Sequence, residues 1–252
     1  MSLSLLGLAP KYVDWLLWGF AVTLLLSAAT CVAATFGGLL ICAARISPLR
    51  ILNWPARIYL SIFRNTPLLV QIFFWYFAGS SILPTPLLDW FNNPHTVIIA
   101  FAGTTWLSFK LPAFEFWAGF LALTFYTSAF IAEEFRAGLR AVPVGQREGG
   151  LSVGLSPAQV FLLIVIPQAA RHALAPLLGQ YMNAIKNSSL TMAIGVAELS
   201  YASRQVETET FQTFEAFGIA TVLYIFAIAV IEGVGELIQR RREKKYGRGA
   251  LS

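Results

Sequence analysis

The sequence predicts an all-α polytopic membrane protein, and its composition supports this fold class in three ways. Hydrophobic residues make up 57% of the 252-residue chain and charged residues only 12%, against about 25% charged residues in soluble domains. The mean hydropathy is +0.66, and apolar runs reach the roughly 20 residues that a spanning helix needs. Twenty phenylalanines and seven tryptophans suit the aromatic belts of a membrane protein. We expect one transmembrane domain over residues 1–252.

The apolar runs predict five spans, at roughly 15–44, 56–83, 116–140, 168–190 and 211–238. The first run has no charged residue before Arg45. The second contains Thr66-Pro67, where a proline either restarts or kinks the helix. The fourth carries polar residues, so we expect it to face protein or a cavity. Residues 97–107 are apolar but too short to span, and they suit an interfacial or re-entrant segment.

The distribution of lysine and arginine predicts the orientation in the membrane. The net charge of +5 does not indicate nucleic-acid binding, because the basic residues lie at the ends of the apolar runs. The chain has a basic tail, with Arg240, Arg241, Arg242, Lys244, Lys245 and Arg248. If this tail is inside, most other basic residues also fall inside, namely Arg45, Arg50, Arg57, Arg64, Arg136, Arg140, Arg147 and Arg171. Only Lys11, Lys110 and Arg204 fall outside, beside an acidic connection over 198–215. We therefore expect an external N-terminus and a cytoplasmic C-terminus.

A polar, glycine-rich segment, Gly145 to Pro167, interrupts the apolar runs, and we expect a loop over 143–167. Pro143 and Pro157 bracket a short helix within it. Two glycine pairs four residues apart would give this helix a nearly bare face, which a partner can approach closely; these are Gly145 with Gly149 and Gly150 with Gly154. The polar side chains of Gln146, Arg147 and Glu148 would orient that partner. An ordinary glycine-rich turn is the alternative interpretation.

The register of Glu148, Gly154, Ile164 and Pro167 resembles the signature loop of bacterial ABC importer permeases, Glu-Ala-Ala, three residues, Gly, nine residues, Ile-x-Leu-Pro. Here two glycines replace the two alanines. The segments 63–71, 133–138 and 186–190 are similar to other segments of the polar amino-acid uptake permeases. The resemblance covers most of residues 15–240 and is nearest to the glutamate/aspartate branch, although glutamine or a basic amino acid is also compatible.

The resemblance implies a type I ABC importer permease fold with five spans and a cytoplasmic coupling helix, in a bacterial inner membrane. It implies two ATP-binding subunits inside, a second permease that is identical or paralogous, and a periplasmic or lipid-anchored solute-binding protein outside. The docking loop would comprise Gly145, Gln146, Arg147, Glu148, Gly149, Gly150, Gly154, Ile164 and Pro167. No Gly-Lys pair occurs, so a phosphate-binding loop is missing. We expect no enzyme activity and no cofactor on this chain, with ATP and Mg²⁺ on the partner ATPase.

A polar stripe in the fourth predicted span is the candidate solute route. Gln180, Asn183 and Asn187 are three and four residues apart, so they share a helix face, and Lys186 lies beside them. Polar residues inside a membrane protein indicate such a route by default. Lys186 could instead pair with Glu198 or cap a helix end.

Two further charged residues, Arg64 and Glu133, are weaker candidates for contact with substrate. Arg64 could instead anchor the chain at the inner surface, and Glu133 is expected to pair with Arg136 one turn later. The two histidines have no ligand-spaced partners, so no metal site is expected.

Three other functions compete with the importer interpretation. An ion-gradient-driven secondary transporter would need intramembrane acids and usually a repeated architecture, and the sequence shows neither clearly. A membrane-embedded enzyme would need a catalytic motif such as HExxH, which is not present. A purely structural membrane subunit would not need the docking loop.

Overall fold

The computed structural model describes residues 7–93, 96–101, 104–110 and 113–246, and these are helical apart from one β-hairpin. The end of the predicted basic tail, from residue 247, lies outside the described residues. The first half of the chain contains α1 (Pro10–Ile46), α2 (Arg50–Asn65), α3 (Leu68–Ile82), α4 (Thr85–Asn92), β1 (Thr96–Phe101), β2 (Thr104–Lys110) and α5 (Phe114–Arg140). The second half contains α6 (Val144–Ser152), α7 (Pro157–Gln159), α8 (Ile166–Ser188), α9 (Leu199–Thr210) and α10 (Thr213–Tyr246).

Helix α5 lies at the centre and contacts α1, α2, α3 and α8. Its neighbours approach closely where one helix has a glycine. A Cβ on Gly38 of α1 would lie 2.6 Å from Cγ2 of Ile131 on α5, and a Cβ on Gly138 of α5 would lie 2.6 Å from the carbonyl oxygen of Ala169 on α8. Small residues at such contacts are what helix association in a bilayer requires.

Within the described part of the chain, four helical segments are long and apolar enough to cross a membrane: Pro10–Ile46, Phe114–Arg140, Pro157–Ile194 and Thr213–Arg240. The predicted second span, 56–83, is not one helix. It breaks at Thr66-Pro67 into α2 and α3, and the buried side chain of Gln71 bridges the break by donating to the carbonyl oxygens of Phe63 and Thr66, both at 3.0 Å. With 15 residues, α3 is about 22 Å long, shorter than the roughly 30 Å hydrocarbon core.

Of the apolar segment predicted to be interfacial or re-entrant, residues 97–101 and 104–107 belong to the two strands of a β-hairpin, and residues 102–103 lie outside the described residues. Strands β1 and β2 pair antiparallel, from Thr96 opposite Lys110 to Phe101 opposite Thr104, with a register shift between Ile99 and Ala100. The all-α prediction therefore describes the spanning helices but misses this hairpin between α4 and α5.

Candidate functional site

Helix α6 is a short, separate helix that begins after Pro143 and ends at Ser152. Its end has the hydrogen bonds of a Schellman motif: Leu155 N–H donates to the carbonyl oxygen of Gly150 at 3.2 Å, and Gly154 N–H donates to that of Leu151 at 3.0 Å. This motif needs a left-handed residue, and Gly154 has a φ of +86°. A non-glycine residue would be strained in this conformation, so Gly154 fixes the exit from the helix.

The four glycines do not form the single bare face that their spacing predicts. Gly145 and Gly149 are exposed, and a Cβ on either would meet no atom within 4 Å. Gly150 is buried, since its Cβ would lie 2.6 Å from Cδ1 of Ile164 and 2.9 Å from Cγ2 of Val160. Gly154 lies beyond the helix. Only the first pair presents open backbone on the helix itself; Gly154 is also exposed, but its backbone conformation serves the local fold, as does buried Gly150.

The second half of the predicted loop is helical and continuous with α8. Ser156 and Gln159 form a capping box that starts α7, with the backbone N–H of Ser156 donating to Oε1 of Gln159 at 2.8 Å. A π-helical stretch, Val160–Val165, joins α7 to α8. Pro167 has no N–H for the helix ladder, and the wider π turn accommodates this gap. Ile164 and Pro167 therefore belong to a helix instead of a loop.

The polar residues of α6 are exposed, and two of them connect it to neighbouring helices. Nε2 of Gln168 in α8 donates to Oε1 of Gln146 at 3.2 Å. Arg147 donates to the carbonyl oxygen of Leu139 near the end of α5 at 3.3 Å. Glu148 is exposed, and among the described residues no side-chain partner holds its carboxylate. Helix α6 is thus tied to α5 and α8 while one side of it is open.

Near the end of α5, the charges of Glu133 and Arg136 neutralise each other. Nε of Arg136 donates to both carboxylate oxygens of Glu133, at 3.0 and 3.1 Å, which confirms the expected pair. Nε2 of Gln180 in α8 donates to Oε1 of Glu134 at 3.1 Å. Gln180 therefore connects α8 to α5, and neither Glu133 nor Gln180 is without a partner.

The other candidates for the solute route remain accessible. Asn183 and Lys186 are exposed on α8, and Asn187 is half-buried. No described acidic side chain forms an ion pair with Lys186, so the alternative Lys186–Glu198 pair does not form. Arg64, at the end of α2, is exposed and lies 5.3 Å from the ring centroid of Phe130, a cation–π contact that neutralises no charge.

Comparison of the sequence with protein-family models identifies the chain as part of a transport system. Residues 33–244 match the family model described as "Binding-protein-dependent transport system inner membrane component". The chain belongs to this family. The permease is a transmembrane subunit of an amino-acid ABC importer, and separate subunits of such importers hydrolyse ATP.

Relatives with known names cover nearly the whole permease. It is 33% identical over 229 residues to the probable glutamine ABC transporter permease protein GlnM of Bacillus subtilis, covering 90% of this chain and 93% of the relative. It is 29% identical over 230 residues to the glutamate/aspartate import permease protein GltJ of Escherichia coli K12, covering 91% and 88%.

Two kinds of solved structure share its fold. A crystal structure of an amino acid ABC transporter with histidines matches with a TM-score of 0.76 and 26% identity, covering 96% of the permease and 100% of that chain. The inward-facing MetNI methionine ABC transporter matches with a TM-score of 0.63 and 19% identity, covering 90% and 96%. At this lower identity the MetNI match supports the fold alone.

The sequence reasoning missed a buried acid, Glu198, which it placed in an external acidic connection. The Glu198 side chain is fully buried and caps α9 by accepting from the Tyr201 N–H at 2.9 Å. It also accepts from Tyr224 of α10 at 2.7 Å and from Thr23 of α1 at 3.3 Å. The sequence feature that could have indicated this role is an acid directly after the apolar run 190–197, at the N-cap position of α9. Residues at this position accept hydrogen bonds from the free backbone N–H groups of the helix.

Proposed function

We propose that this permease moves a polar amino acid, with glutamate or aspartate as the first candidates, into a bacterial cell across its inner membrane. Helix α6 would be the site at which a partner ATPase docks. The observation that carries this proposal is the exposed pair Gly145 and Gly149 on a helix tied to the spans on its other side. A short helix lying in a partner's groove is a recurrent recognition mode.

The contacts of α6 supply a route by which a movement of the ATPase would reach the spans. Buried Gly150 contacts Val160 and Ile164 of the π-helical stretch, which continues into α8. Gln146 holds the start of α8 through Gln168. A displacement of α6 would therefore move α8, the helix that carries the polar stripe. ATP and Mg²⁺ would bind to the partner subunits, and in this chain α6 would transmit their movement to α8.

The proposed assembly has two permeases, two ATPases and an external solute-binding protein. The second permease would be a copy of this chain or a paralogue. With five spans, of which α3 would be the short second one, the N-terminus would lie outside and the C-terminus inside, in accord with the lysine and arginine distribution. Under this topology α9 and the hairpin face outward, toward the binding protein.

The proposed preference for an acidic amino acid has two supports. The chain is 29% identical to a glutamate/aspartate permease. In addition, the cations Arg64 and Lys186 have no acidic side-chain partner among the described residues, so either could attract a substrate carboxylate. The 33% identity to the probable glutamine permease makes glutamine the second candidate.

Reconstitution tests the proposed activity. The permease would be co-expressed with candidate ATPase and permease partners and placed in liposomes with the binding protein. We expect uptake of amino acid and ATP hydrolysis that both require the binding protein, with glutamate and aspartate competing better than glutamine or arginine. Uptake that continues without any ATPase would refute the importer and favour the alternative, an ion-gradient-driven transporter.

Substitution on the open face of α6 tests the docking site. Gly149→Leu would fill exposed space without an internal clash, and it should weaken co-purification of the ATPase at least about tenfold. Gly233→Leu in α10 is the matched control, because Gly233 is also exposed, with no atom within 4 Å of an added Cβ. If ATPase retention in Gly149→Leu equals that of the control, α6 does not dock through this face.

A further inference from the structure

A cleft of about 390 Å³ lies where α1, α5 and α6 end or begin at one side of the bundle. Its size falls within the roughly 300–1,000 Å³ of small-molecule sites. Among the described residues that line it there are four arginines and no carboxylate; the arginines are Arg45, Arg136, Arg140 and Arg147. None of the contacts proposed above for transport or docking explains why four guanidinium groups converge here.

Three of these four positive charges have no acidic partner among the residues that the structure describes. Arg136 is neutralised by Glu133. Arg45 donates to Oδ1 of the neutral Asn53 at 3.3 Å, and Arg147 donates to a backbone carbonyl. Arg140 is exposed and has no acceptor within the part of the chain that the structure describes. An anion is the ligand that such a group of charges attracts.

The neighbouring charges make this excess of positive charge costly without an anion. Arg57, Arg136 and Arg140 all lie close enough to Arg45 to repel its charge, whereas the carboxylate of Glu133 attracts it. Arg57 also shares the Asn53 side chain with Arg45, donating to the same oxygen at 2.7 Å. Guanidinium groups bind phosphate oxygens through paired hydrogen bonds, so a phosphate group is the anion that suits this set.

The apolar residues at the cleft indicate where the phosphate comes from. Ile46 and Phe161 line it and are 45% and 37% exposed, and next to Phe161 the side chains of Leu162 and Leu163 are 60% and 66% exposed. Acyl chains would cover these side chains, whereas a free phosphate would not. The cleft also lies at the end of two spanning helices, where lipid headgroups are found.

We propose that this arginine cleft binds the phosphate of an anionic phospholipid in the inner leaflet, beside the helix proposed to dock the ATPase. The inference rests on the proposed orientation, which places this end of the bundle at the cytoplasmic surface. The bound phosphate would screen the repulsion among Arg45, Arg140 and Arg147 and hold the ends of α1 and α5 against the start of α6.

Native mass spectrometry of the purified complex in detergent tests the site, with phosphatidylglycerol as the added lipid. The double variant Arg45→Gln/Arg140→Gln should raise the apparent dissociation constant for phosphatidylglycerol at least about tenfold, since two charge-assisted contacts are lost. Arg50→Gln is the matched control, because Arg50 is exposed at the same end of the bundle but does not line the cleft. Arg140→Lys should bind with intermediate affinity, since it keeps the charge without the forked donors.

Three results would overturn the proposal. The first is an equal loss of lipid in the double variant and in the Arg50→Gln control. The second is displacement of phosphatidylglycerol by inorganic phosphate at matched concentration, which would identify a free anion as the ligand. The third is unchanged lipid binding with loss of the ATPase, which would make the cleft a protein contact. Lipid binding is measured without transport, so a failure of the transport proposal is distinguishable from a failure of this one.

Discussion

Replacing Glu198 should be among the most destabilising single changes in this permease, because one carboxylate joins three helices. It accepts from the hydroxyls of Tyr224 on α10 and Thr23 on α1 and from the backbone N–H of Tyr201 on α9. Thr23 in turn accepts from the N–H of Leu199 at 3.1 Å. The side chain is fully buried, so water cannot replace these contacts when the carboxylate is removed.

The hydrogen bonds give the expected magnitude. Glu198→Ala leaves the Thr23 hydroxyl and the Tyr201 N–H without their acceptor, whereas the Tyr224 hydroxyl keeps Ser200 Oγ at 3.1 Å as a partner. Each buried unsatisfied group costs about 1–3 kcal/mol. At about 1.5 kcal/mol for each of the two groups, the free energy of unfolding should fall by about 3 kcal/mol. For a chain of this size, that corresponds to a drop in Tm of roughly 6–12 °C. Glu198→Gln keeps the shape and can keep the Tyr201 contact, so it should lose less.

The pH dependence of Tm distinguishes the contribution of the Glu198 charge from that of its shape. Burial raises the pKa of Glu198 above its ordinary 4.5, although hydrogen bonds from Tyr224, the backbone and Thr23 act in the opposite direction. A raised folded-state pKa means that the stabilising contribution is complete below about pH 4.5 and is lost as pH rises through the folded pKa. The Tm of Glu198→Gln relative to the parent should therefore improve between pH 4.5 and 7.5.

Thermal unfolding in detergent, followed by intrinsic fluorescence at several pH values, measures these differences. Glu209→Ala is the control, because Glu209 is an exposed acid on the same helix whose pair with Lys11 lies at the surface, and such pairs contribute about 0–1 kcal/mol. The reasoning fails if Glu198→Ala unfolds within 1–2 °C of this control, or if Glu198→Gln loses as much stability as Glu198→Ala at every pH.

Three further predictions concern the helix contacts and the solute route. Gly138→Ala should cost about 1–3 kcal/mol through overpacking, since its Cβ would lie 2.6 Å from a backbone oxygen of α8; an unchanged Tm would contradict this contact. A double-mutant cycle on Glu133 and Arg136 should give a coupling of about 0.5–3 kcal/mol in unfolding free energy, and a coupling near zero would contradict the pair. Asn183→Ala and Lys186→Ala should reduce transport while Tm stays within about 2 °C of the parent, because both side chains are exposed; full transport would remove them from the route.

The long helices were predictable from apolar run length alone. The first run was predicted over 15–44 and forms Pro10–Ile46, and the third was predicted over 116–140 and forms Phe114–Arg140. A long run without charged residues is expected to lie in lipid. There the backbone N–H and C=O groups must pair with each other, so such a run forms a helix. The first helix extends beyond the prediction at both ends, where residues such as Lys11, Asp14 and Arg45 continue it outside the apolar run, and the third begins two residues early and ends at Arg140 as predicted.

The hairpin was missed because span length was the criterion applied to residues 97–107. Eleven apolar residues are too few for a spanning helix, but the run 96–99 is rich in β-branched residues, Thr-Val-Ile-Ile, and such residues favour strands. The burial of Glu198 was missed for a different reason. Its three partners lie on different helices, and their convergence depends on how these helices pack.

The glycines around α6 show why a motif register predicts a segment better than the role of each residue in it. Gly149 and Gly150 are neighbours in the same motif, yet one is open to a partner and the other contacts the π-helical stretch. Gly154 has a left-handed backbone conformation that ends the helix. A bulky substitution at Gly150 or Gly154 would therefore alter α6 itself, and a resulting loss of the ATPase would not identify the docking face. Only the exposed pair, Gly145 and Gly149, allows the docking surface to be changed without changing the fold that presents it.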